Sequence, residues 1–221
     1  MCWLIALLVR LRTERAQAQE QLVYDATHDA LTGLPNRVAL STRMASDLTG
    51  KRIALTFKVF FQPIVALADR RAVGMEALIR WQQPQQGWLP PADFIPVAEE
   101  TGLIIPIGAW VLEHTARQIQ EWKLEGRWRP GFYVSVNLSG HQLLDGELLA
   151  QIDSVIARCG LLAGELRLEL TETAVITNID AASSVLPALR ERHIPLYMDD
   201  FGTGYSSLGY SVTCARVQML P

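Results

Sequence analysis

The sequence predicts an α/β fold built on a parallel β-sheet. From residue 57 onward, short apolar runs that are typical of strands alternate with amphipathic segments that are typical of helices. The chain has 221 residues, of which 49% are hydrophobic, so it is long enough for one large globular domain or two small ones. Acidic and amide residues stand at the ends of several predicted strands, which is typical of α/β proteins that carry a site at the carboxyl edge of the sheet.

The first 27 residues are predicted to form an apolar start and a connecting helix. Residues 2–9 are wholly apolar and are followed by Arg10, Arg12 and Arg15. As a helix this run would be about 12 Å long, against about 30 Å for a bilayer core, so it cannot span a membrane alone. It is either the tail of a longer anchor at the inner face of the membrane or an ordinary hydrophobic N-terminus. Residues 11–26 favour a solvated helix that could pair with a second copy, as a homodimer.

The net charge and the cysteine content exclude several classes of partner and site. The net charge is −3 and basic residues cluster only near the N-terminus, so a nucleic-acid polymer is a poor partner. The three cysteines, Cys2, Cys159 and Cys214, lack paired or metal-ligand spacing, which favours a reducing cytoplasm and argues against a disulfide framework or a zinc site. A small anionic ligand is compatible with this composition if metal ions or single arginines supply local positive charge.

Residues 28–37 carry a compact motif, His-Asp-Ala-Leu-Thr-Gly-Leu-Pro-Asn-Arg. Local chemistry alone predicts a helix end, a turn and a new helix that starts at Asn36. The motif also resembles the opening of GGDEF diguanylate cyclase domains. That resemblance stops soon after Leu48, and the chain has no Gly-Gly-Asp-Glu-Phe signature. We therefore expect residues 28–50 to be a remnant of such a domain, without cyclase activity.

Beyond residue 55 the pattern predicts alternating strands and helices. The strands are expected at 59–66, 72–81, 132–138, 166–171 and 194–198, and the helices at 93–100, 105–125, 147–159 and 180–192. Gly102, Gly126 and Gly160 follow three of the helices as stop signals. His114 shares a helix face with apolar residues and is predicted to be packed in the core rather than to act as a ligand. Right-handed crossovers place the carboxyl ends of parallel strands at one edge of the sheet.

Five polar residues should therefore meet at that edge. They are Glu76, Asn137, Glu172, Asp199 and Asp200. Two carboxylates 4 Å apart repel by about 4 kcal/mol at an effective dielectric near 20, so a cation is expected among them. Oxygen ligands with one amide favour Mg²⁺, Mn²⁺ or Ca²⁺ over zinc. Adjacent aspartates can bridge or divide two ions that activate water against a phosphodiester, and Arg80, on the face of Glu76, could meet a phosphate. For each residue alone, the alternative is a solvated strand end.

The motifs of this region resemble those of the EAL family, in the family's order and spacing, from about residue 57 to residue 210. They are Phe61-Gln62-Pro63-Ile64-Val65, Glu76-Ala77-Leu78-Ile79-Arg80-Trp81, Phe94-Ile95-Pro96-Val97-Ala98-Glu99-Glu100, Ser135-Val136-Asn137-Leu138-Ser139, Leu170-Thr171-Glu172 and Asp199-Asp200-Phe201-Gly202-Thr203-Gly204-Tyr205-Ser206-Ser207-Leu208.

This resemblance implies a TIM-type barrel that hydrolyses the bacterial second messenger cyclic di-GMP to linear pGpG with Mg²⁺ or Mn²⁺. The metal ligands it implies are Glu76, Asn137, Glu172, Asp199 and Asp200, with Asp200 serving a second ion. Glu76, Asp199 and Asp200 would be the catalytic carboxylates. Nucleotide contacts are implied for Gln62, Leu78 and Arg80. On spacing alone Glu169 would serve as well as Glu172, and the family motif selects Glu172.

The chain also departs from the family pattern. The family continues with a Lys-Ile-Asp strand, a strand that ends in a metal-binding glutamate and a strand that carries a glutamine, whereas the last lysine here is Lys123 and the last glutamate is Glu191. We therefore expect residues 55–221 to form a truncated EAL domain, with about five of eight β/α units and an open edge. Three hypotheses compete: a phosphodiesterase, a binding module that does not hydrolyse its ligand, and a non-functional fragment.

Overall fold

The computed structural model describes residues 2–30, 35–49, 52–84, 86–199 and 218–219. The chain divides into two compact units, Met1–Thr49 and Gly50–Pro221. A helix that could cross a membrane, which needs about 20 mostly apolar residues, does not occur among the described segments.

The N-terminal unit is helical. Helix α1 spans Cys2–Thr27 and helix α2 spans Arg37–Asp47. The predicted helix start at Asn36 is confirmed, because its side chain accepts hydrogen bonds from two backbone N–H groups in the first turn of α2. The amide of Asn36 also donates a 2.9 Å hydrogen bond to the carbonyl of Ala26, which ties the start of α2 to the end of α1.

The second unit alternates strands with helices, as predicted. In chain order its elements are α3 (Ile53–Thr56), β1 (Phe57–Val65), β2 (Ala72–Gln83), β3 (Gly87–Leu89), α4 (Pro91–Glu100), α5 (Ile104–Leu124), β4 (Tyr133–Asn137), α6 (Gly140–Leu143), α7 (Leu148–Cys159), β5 (Leu166–Thr171), α8 (Glu172–Thr177), α9 (Ile179–Glu191), β6 (Leu196–Asp199) and β7 (Gln218–Met219). Three of the predicted helix stops adopt left-handed backbone conformations, with φ of 73° at Gly102, 69° at Gly126 and 60° at Gly160.

The sheet is mixed rather than wholly parallel. Its strand order is β1-β2-β4-β5-β6-β7, with β3 paired to β2. The pairs from β2 through β7 are parallel, but β1 and β3 pair with β2 in antiparallel fashion. The prediction of a parallel sheet was therefore wrong for β1. The connection between β1 and β2, residues 66–71, is too short for a parallel crossover, which needs about a dozen residues. The described strands form an open sheet.

An aromatic cluster holds β1 and β2 against the helical layer. The rings of Phe57 and Trp81 stack at a centroid distance of 5.7 Å, and both lie about 6 Å from Phe94 on α4. All three side chains are fully buried. On α5, His114 stacks on Trp110 at 4.9 Å and is partly buried, which agrees with its predicted packing role. Burial lowers the pKa of His114.

Candidate active site

The strand register brings Glu76 and Asn137 together at the carboxyl edge of the sheet. Glu76 on β2 pairs in register with Ser135 on β4, and Asn137 lies two residues further along β4, on the same face. The Nδ2 atom of Asn137 donates a 2.8 Å hydrogen bond to Oε1 of Glu76. Asn137 is exposed and Glu76 is half-buried, so this pair lies where the sheet meets solvent.

The backbone places two further predicted ligands along the same edge. Thr171 ends β5 and pairs in register with Asp199, the last residue of β6. Glu172 opens α8 immediately after β5, where the side chain of Thr171 caps the helix. The side chains of Glu172 and Asp199, and the whole of Asp200, lie outside the described part of the chain. Their predicted roles as ligands therefore stay predictions.

The predicted nucleotide contacts flank Glu76. Gln62 on β1 is the antiparallel register partner of Glu76, so the amide and the carboxylate stand side by side. Leu78 and Arg80 follow Glu76 at two-residue intervals on β2 and share its face. Nη1 of Arg80 donates a 2.8 Å hydrogen bond to the carbonyl of Ile79. The register thus places Gln62, Leu78 and Arg80 on the face of the sheet that carries Glu76, and their roles as nucleotide contacts stay predictions.

Lys58 adds a second cation that sequence reasoning missed. It is the register partner of Arg80 across β1 and β2, so two positive charges stand next to each other on the face that carries Glu76. Its Nζ lies 5.4 Å from the ring centroid of Trp88. An antiparallel hairpin of β1 and β2 would have indicated this pair, because it places Lys58 beside Arg80, whereas a parallel β1 would have placed a different residue there.

A cavity of about 690 Å³ opens beside the Glu76–Asn137 pair. It lies between α4, α5, the middle of β2 and the end of β4. Much of its wall is apolar, with Ile95, Ile104 and Ile107 among the lining residues, while Leu78 and Asn137 line it on the sheet side. A largely apolar cavity with a few convergent polar groups is the usual form of a small-molecule site.

The loop after Asn137 is fixed from two directions. Ser139 forms a capping box with Gln142 at the start of α6. Its Oγ donates a 2.6 Å hydrogen bond to Oε1 of Glu99 on α4. Sequence reasoning gave no role to Glu99, because this contact joins residues 40 positions apart and depends on how α4 packs. The clamp holds the backbone that immediately follows Asn137.

The donor chemistry fits a hard divalent cation. Glu76 contributes a carboxylate, and Asn137 can offer Oδ1 to a metal while its Nδ2 still holds Glu76. Within the residues whose side chains are described, no group of three His, Cys, Asp or Glu residues could hold a metal. The remaining predicted ligands, Glu172, Asp199 and Asp200, are the ones whose side chains lie outside that set.

Comparison with known proteins identifies the family. The EAL domain model matches residues 46–218, which is most of the chain. The chain belongs to the EAL domain family. This match spans every strand from β1 to β6 and includes all eight residues that the sequence singled out for the site.

Relatives of the EAL chain include named enzymes. It is 39% identical over 150 residues to the bifunctional diguanylate cyclase/cyclic di-GMP phosphodiesterase MucR of Pseudomonas aeruginosa, covering 68% of this chain and 22% of MucR. It is 40% identical over 134 residues to the cyclic di-GMP phosphodiesterase PdeR of Escherichia coli, covering 61% of this chain and 20% of PdeR. The chain thus spans about a fifth of each of these relatives.

A solved structure of the MucR phosphodiesterase in complex with cyclic di-GMP superposes with a TM-score of 0.70 at 34% identity, covering 80% of this chain and 70% of that one. The EAL structures to which the chain is similar have TIM-barrel-like α/β folds. The predicted fold class is therefore confirmed, and the described strands correspond to an open part of such a barrel.

Proposed function

We propose that this chain carries the EAL site of a cyclic di-GMP phosphodiesterase, which hydrolyses the cyclic dinucleotide to linear pGpG in bacterial second-messenger signalling. The observation that carries the proposal is the 2.8 Å hydrogen bond between Asn137 and Glu76 at the carboxyl edge of the sheet. These two residues occupy motif positions that the family uses for metal binding, and Asn137 lines a cavity of about 690 Å³.

Glu76, Asn137, Glu172 and Asp199 would hold Mg²⁺ or Mn²⁺, with Asp200 serving a second ion. When bound, these ions polarise the phosphodiester and make water a stronger nucleophile. The amide of Asn137 orients the carboxylate of Glu76, which keeps one oxygen fixed before the ligand arrives. The two neighbouring cations, Lys58 and Arg80, would attract the phosphates of the dinucleotide.

Gln62 and Leu78 would complete the nucleotide contacts. Gln62 stands beside Glu76 and can exchange hydrogen bonds with a ribose or a base. Leu78 forms part of the cavity wall next to Asn137 and presents apolar surface to a purine. These residues bind and orient the ligand, so their loss should weaken binding more than turnover.

A module that binds without hydrolysis is the second candidate. The observation that favours it is the largely apolar cavity of about 690 Å³ lined by Leu78 and Asn137, which suits the binding of a small molecule whether or not that molecule is hydrolysed. Such a module would keep the cationic pair, the cavity and the Glu76–Asn137 pair, and it would still require the metal to offset the clustered carboxylates.

The two candidates are separated by assaying the full 221-residue chain with cyclic di-GMP and Mn²⁺ or Mg²⁺. Formation of pGpG that Glu76→Ala abolishes supports the phosphodiesterase. Metal-dependent binding without pGpG supports the binding module. Glu191→Ala is the matched control, because Glu191 is exposed at the end of α9, where the chain returns to the start of β6 at the opposite edge of the sheet. A chain that neither binds nor hydrolyses the dinucleotide refutes both candidates.

We also propose three finer points about the chain as a whole. Residues 28–50 derive from the start of a GGDEF domain, as their motif indicates. The exposed side chains of Leu11, Leu22 and Val23 on α1 support pairing with a second copy, which sedimentation of the purified chain would test. A cytoplasmic location agrees with Cys159 being a free, buried thiol, while the anchoring of residues 2–9 at a membrane stays a prediction.

A further inference from the structure

We propose that Ser135 is a positioning residue for Glu76. In the metal-loaded site its hydroxyl donates a hydrogen bond to the Glu76 carboxylate and accepts one from Nε of Arg167. This inference rests on the proposed function, because it assumes that Glu76 is a metal ligand. It assigns a role to a residue that lies beneath the site rather than in it.

Ser135 stands in a row of register partners that crosses the sheet. It pairs with Glu76 on β2 and with Arg167 on β5. Side chains of register partners in a parallel pair project from the same face. Asn137, two residues on, shares that face and already contacts Glu76. The side chain of Ser135 therefore lies on the Glu76 face, one strand away from it.

Two buried polar atoms of this row lack a hydrogen-bond partner among the described residues. Ser135 is 0% exposed, and its Oγ has no hydrogen-bond partner among the described residues. The Nε atom of Arg167 is likewise buried and without a described partner. Buried hydroxyl and guanidinium groups in proteins are almost always paired, so two such atoms at neighbouring positions indicate a role that needs a further group.

The chemistry of the row fixes the direction of the hydrogen bonds. Arg167 can only donate, a carboxylate can only accept, and a serine hydroxyl can do both. Arg167 is held in place by aromatic rings, with its guanidinium carbon 3.4 Å from the centroid of Tyr133 and 5.2 Å from that of Tyr197. The order that satisfies every group is therefore Arg167 to Ser135 to Glu76.

This order of hydrogen bonds would fix the orientation of Glu76 as a metal ligand. Asn137 holds Oε1 of Glu76 from the solvent side of the row. A ligating carboxylate whose other oxygen is also hydrogen-bonded keeps one orientation, and such outer partners typically change metal affinity about 10- to 100-fold when they are removed. Ser135, buried beneath the pair, is placed to supply that second contact and to couple Glu76 to the fixed charge of Arg167.

The test measures Mn²⁺ binding to the full chain by titration calorimetry, without any substrate. Ser135→Ala should weaken Mn²⁺ binding about tenfold or more. Thr115→Val is the matched control, because Thr115 on α5 is also 0% exposed and its Oγ1 also lacks a described partner. It should leave Mn²⁺ affinity unchanged. Neither variant should lower the thermal unfolding midpoint, because each removes an unpaired buried hydroxyl.

A conservative variant separates positioning from packing. Ser135→Cys keeps the shape of the side chain and a donor in the same place, but its thiol is larger than the hydroxyl and a weaker donor, so its Mn²⁺ affinity should fall between those of the wild type and Ser135→Ala. If Ser135→Ala does not unfold cooperatively, Ser135→Cys replaces it in the comparison of Mn²⁺ affinity with the wild type. Glu76→Gln should abolish Mn²⁺ binding and serves as the reference for the proposed site.

The outcomes distinguish this inference from the proposed function. If Glu76→Gln abolishes Mn²⁺ binding while Ser135→Ala and Ser135→Cys bind as the wild type does, the role of Ser135 is refuted and the metal site stands. If Thr115→Val weakens binding as much as Ser135→Ala, the effect is a general one of core packing and the inference is also refuted. If the wild-type chain binds no Mn²⁺, the proposed function fails and this inference fails with it.

Discussion

Gly108 on α5 offers the most direct test of how the loop after Asn137 is held. A Cβ added at Gly108 would lie 2.5 Å from Cδ and 2.8 Å from Oε1 of Gln142, and nearer still to its Nε2. Gln142 is only 4% exposed, and its Oε1 accepts a 3.0 Å hydrogen bond from the backbone N–H of Ser139. The Cβ of Gly108→Ala must therefore displace the Gln142 side chain from the position in which it forms the capping box of α6.

The expected cost follows from three contributions. Overpacking a buried position costs about 1–3 kcal/mol, and loss of a capping interaction costs about 1 kcal/mol. Replacing a glycine in a helix by alanine returns about 1 kcal/mol. Gly108→Ala should therefore lower the free energy of unfolding by about 1–3 kcal/mol, and it should also weaken Mn²⁺ binding because the Asn137 loop loses its anchor.

Urea denaturation of the two variants Gly108→Ala and Gly146→Ala provides the measurement. An added Cβ at Gly146 would meet no atom within 4 Å, so this control should unfold at nearly the wild-type urea concentration. The midpoint for Gly108→Ala should fall with an unchanged slope. A Gly108→Ala protein as stable as the wild type, or more stable, would show that Gln142 yields freely and that the clamp does not hold the loop.

Three further predictions concern the scaffold. Lys123→Met should lower the free energy of unfolding by about 2 kcal/mol. Nζ of Lys123 lies 2.9 Å from Oε2 of the buried Glu165, so removing the ammonium group leaves the Glu165 carboxylate without its cation. An unchanged free energy of unfolding in urea would contradict this prediction. Burial lowers the pKa of His114 below 6.5, so the unfolded state binds the proton first and stability falls as the pH drops below 6.5. His114→Gln should flatten that loss when unfolding is compared at about pH 7.5 and about pH 5.5, and an unchanged pH slope rejects the assignment. Gly74→Ala should cost about 1–3 kcal/mol, since its Cβ would lie 2.7 Å from the ring of Tyr133, and thermal unfolding at the wild-type midpoint would show that the ring moves aside.

The strands were predictable because the local pattern and the tertiary fold agree. The second strand, expected at 72–81, is β2, Ala72–Gln83, and the fourth, expected at 166–171, is β5 with the same bounds. The short helix α6 was missed, although Ser139 and Gln142 have the spacing of a capping box that could have indicated it. The direction of β1 was wrong because strand direction depends on connection length, and the apolar pattern of a strand carries no information about it.

The candidate site was predictable only where it follows from strand ends. Asn137 ends β4 as expected, whereas β2 continues from Glu76 to Gln83, so the 2.8 Å hydrogen bond between Glu76 and Asn137 follows from the parallel register of β2 with β4. The partnership of Lys58 with Arg80 depends on the antiparallel register of one hairpin. The contact of Glu99 with Ser139 depends on how a helix packs against the sheet, and no local pattern specifies it.

The positions of β2 and β4 inside the sheet explain why the Glu76–Asn137 pair is preformed. Each of these strands is paired on both sides, so the backbone that carries Glu76 and Asn137 is held by neighbouring strands. Their hydrogen bond joins side chains from two different strands, and the Glu99–Ser139 contact then anchors the end of β4 to α4. A cation that binds here meets a carboxylate and an amide that are already held together by a hydrogen bond. Gly108→Ala should therefore reduce metal affinity without touching a ligand, because it displaces Gln142 and loosens the loop that follows Asn137. Ser135→Ala should reduce metal affinity by a different route, because it removes a direct contact to Glu76.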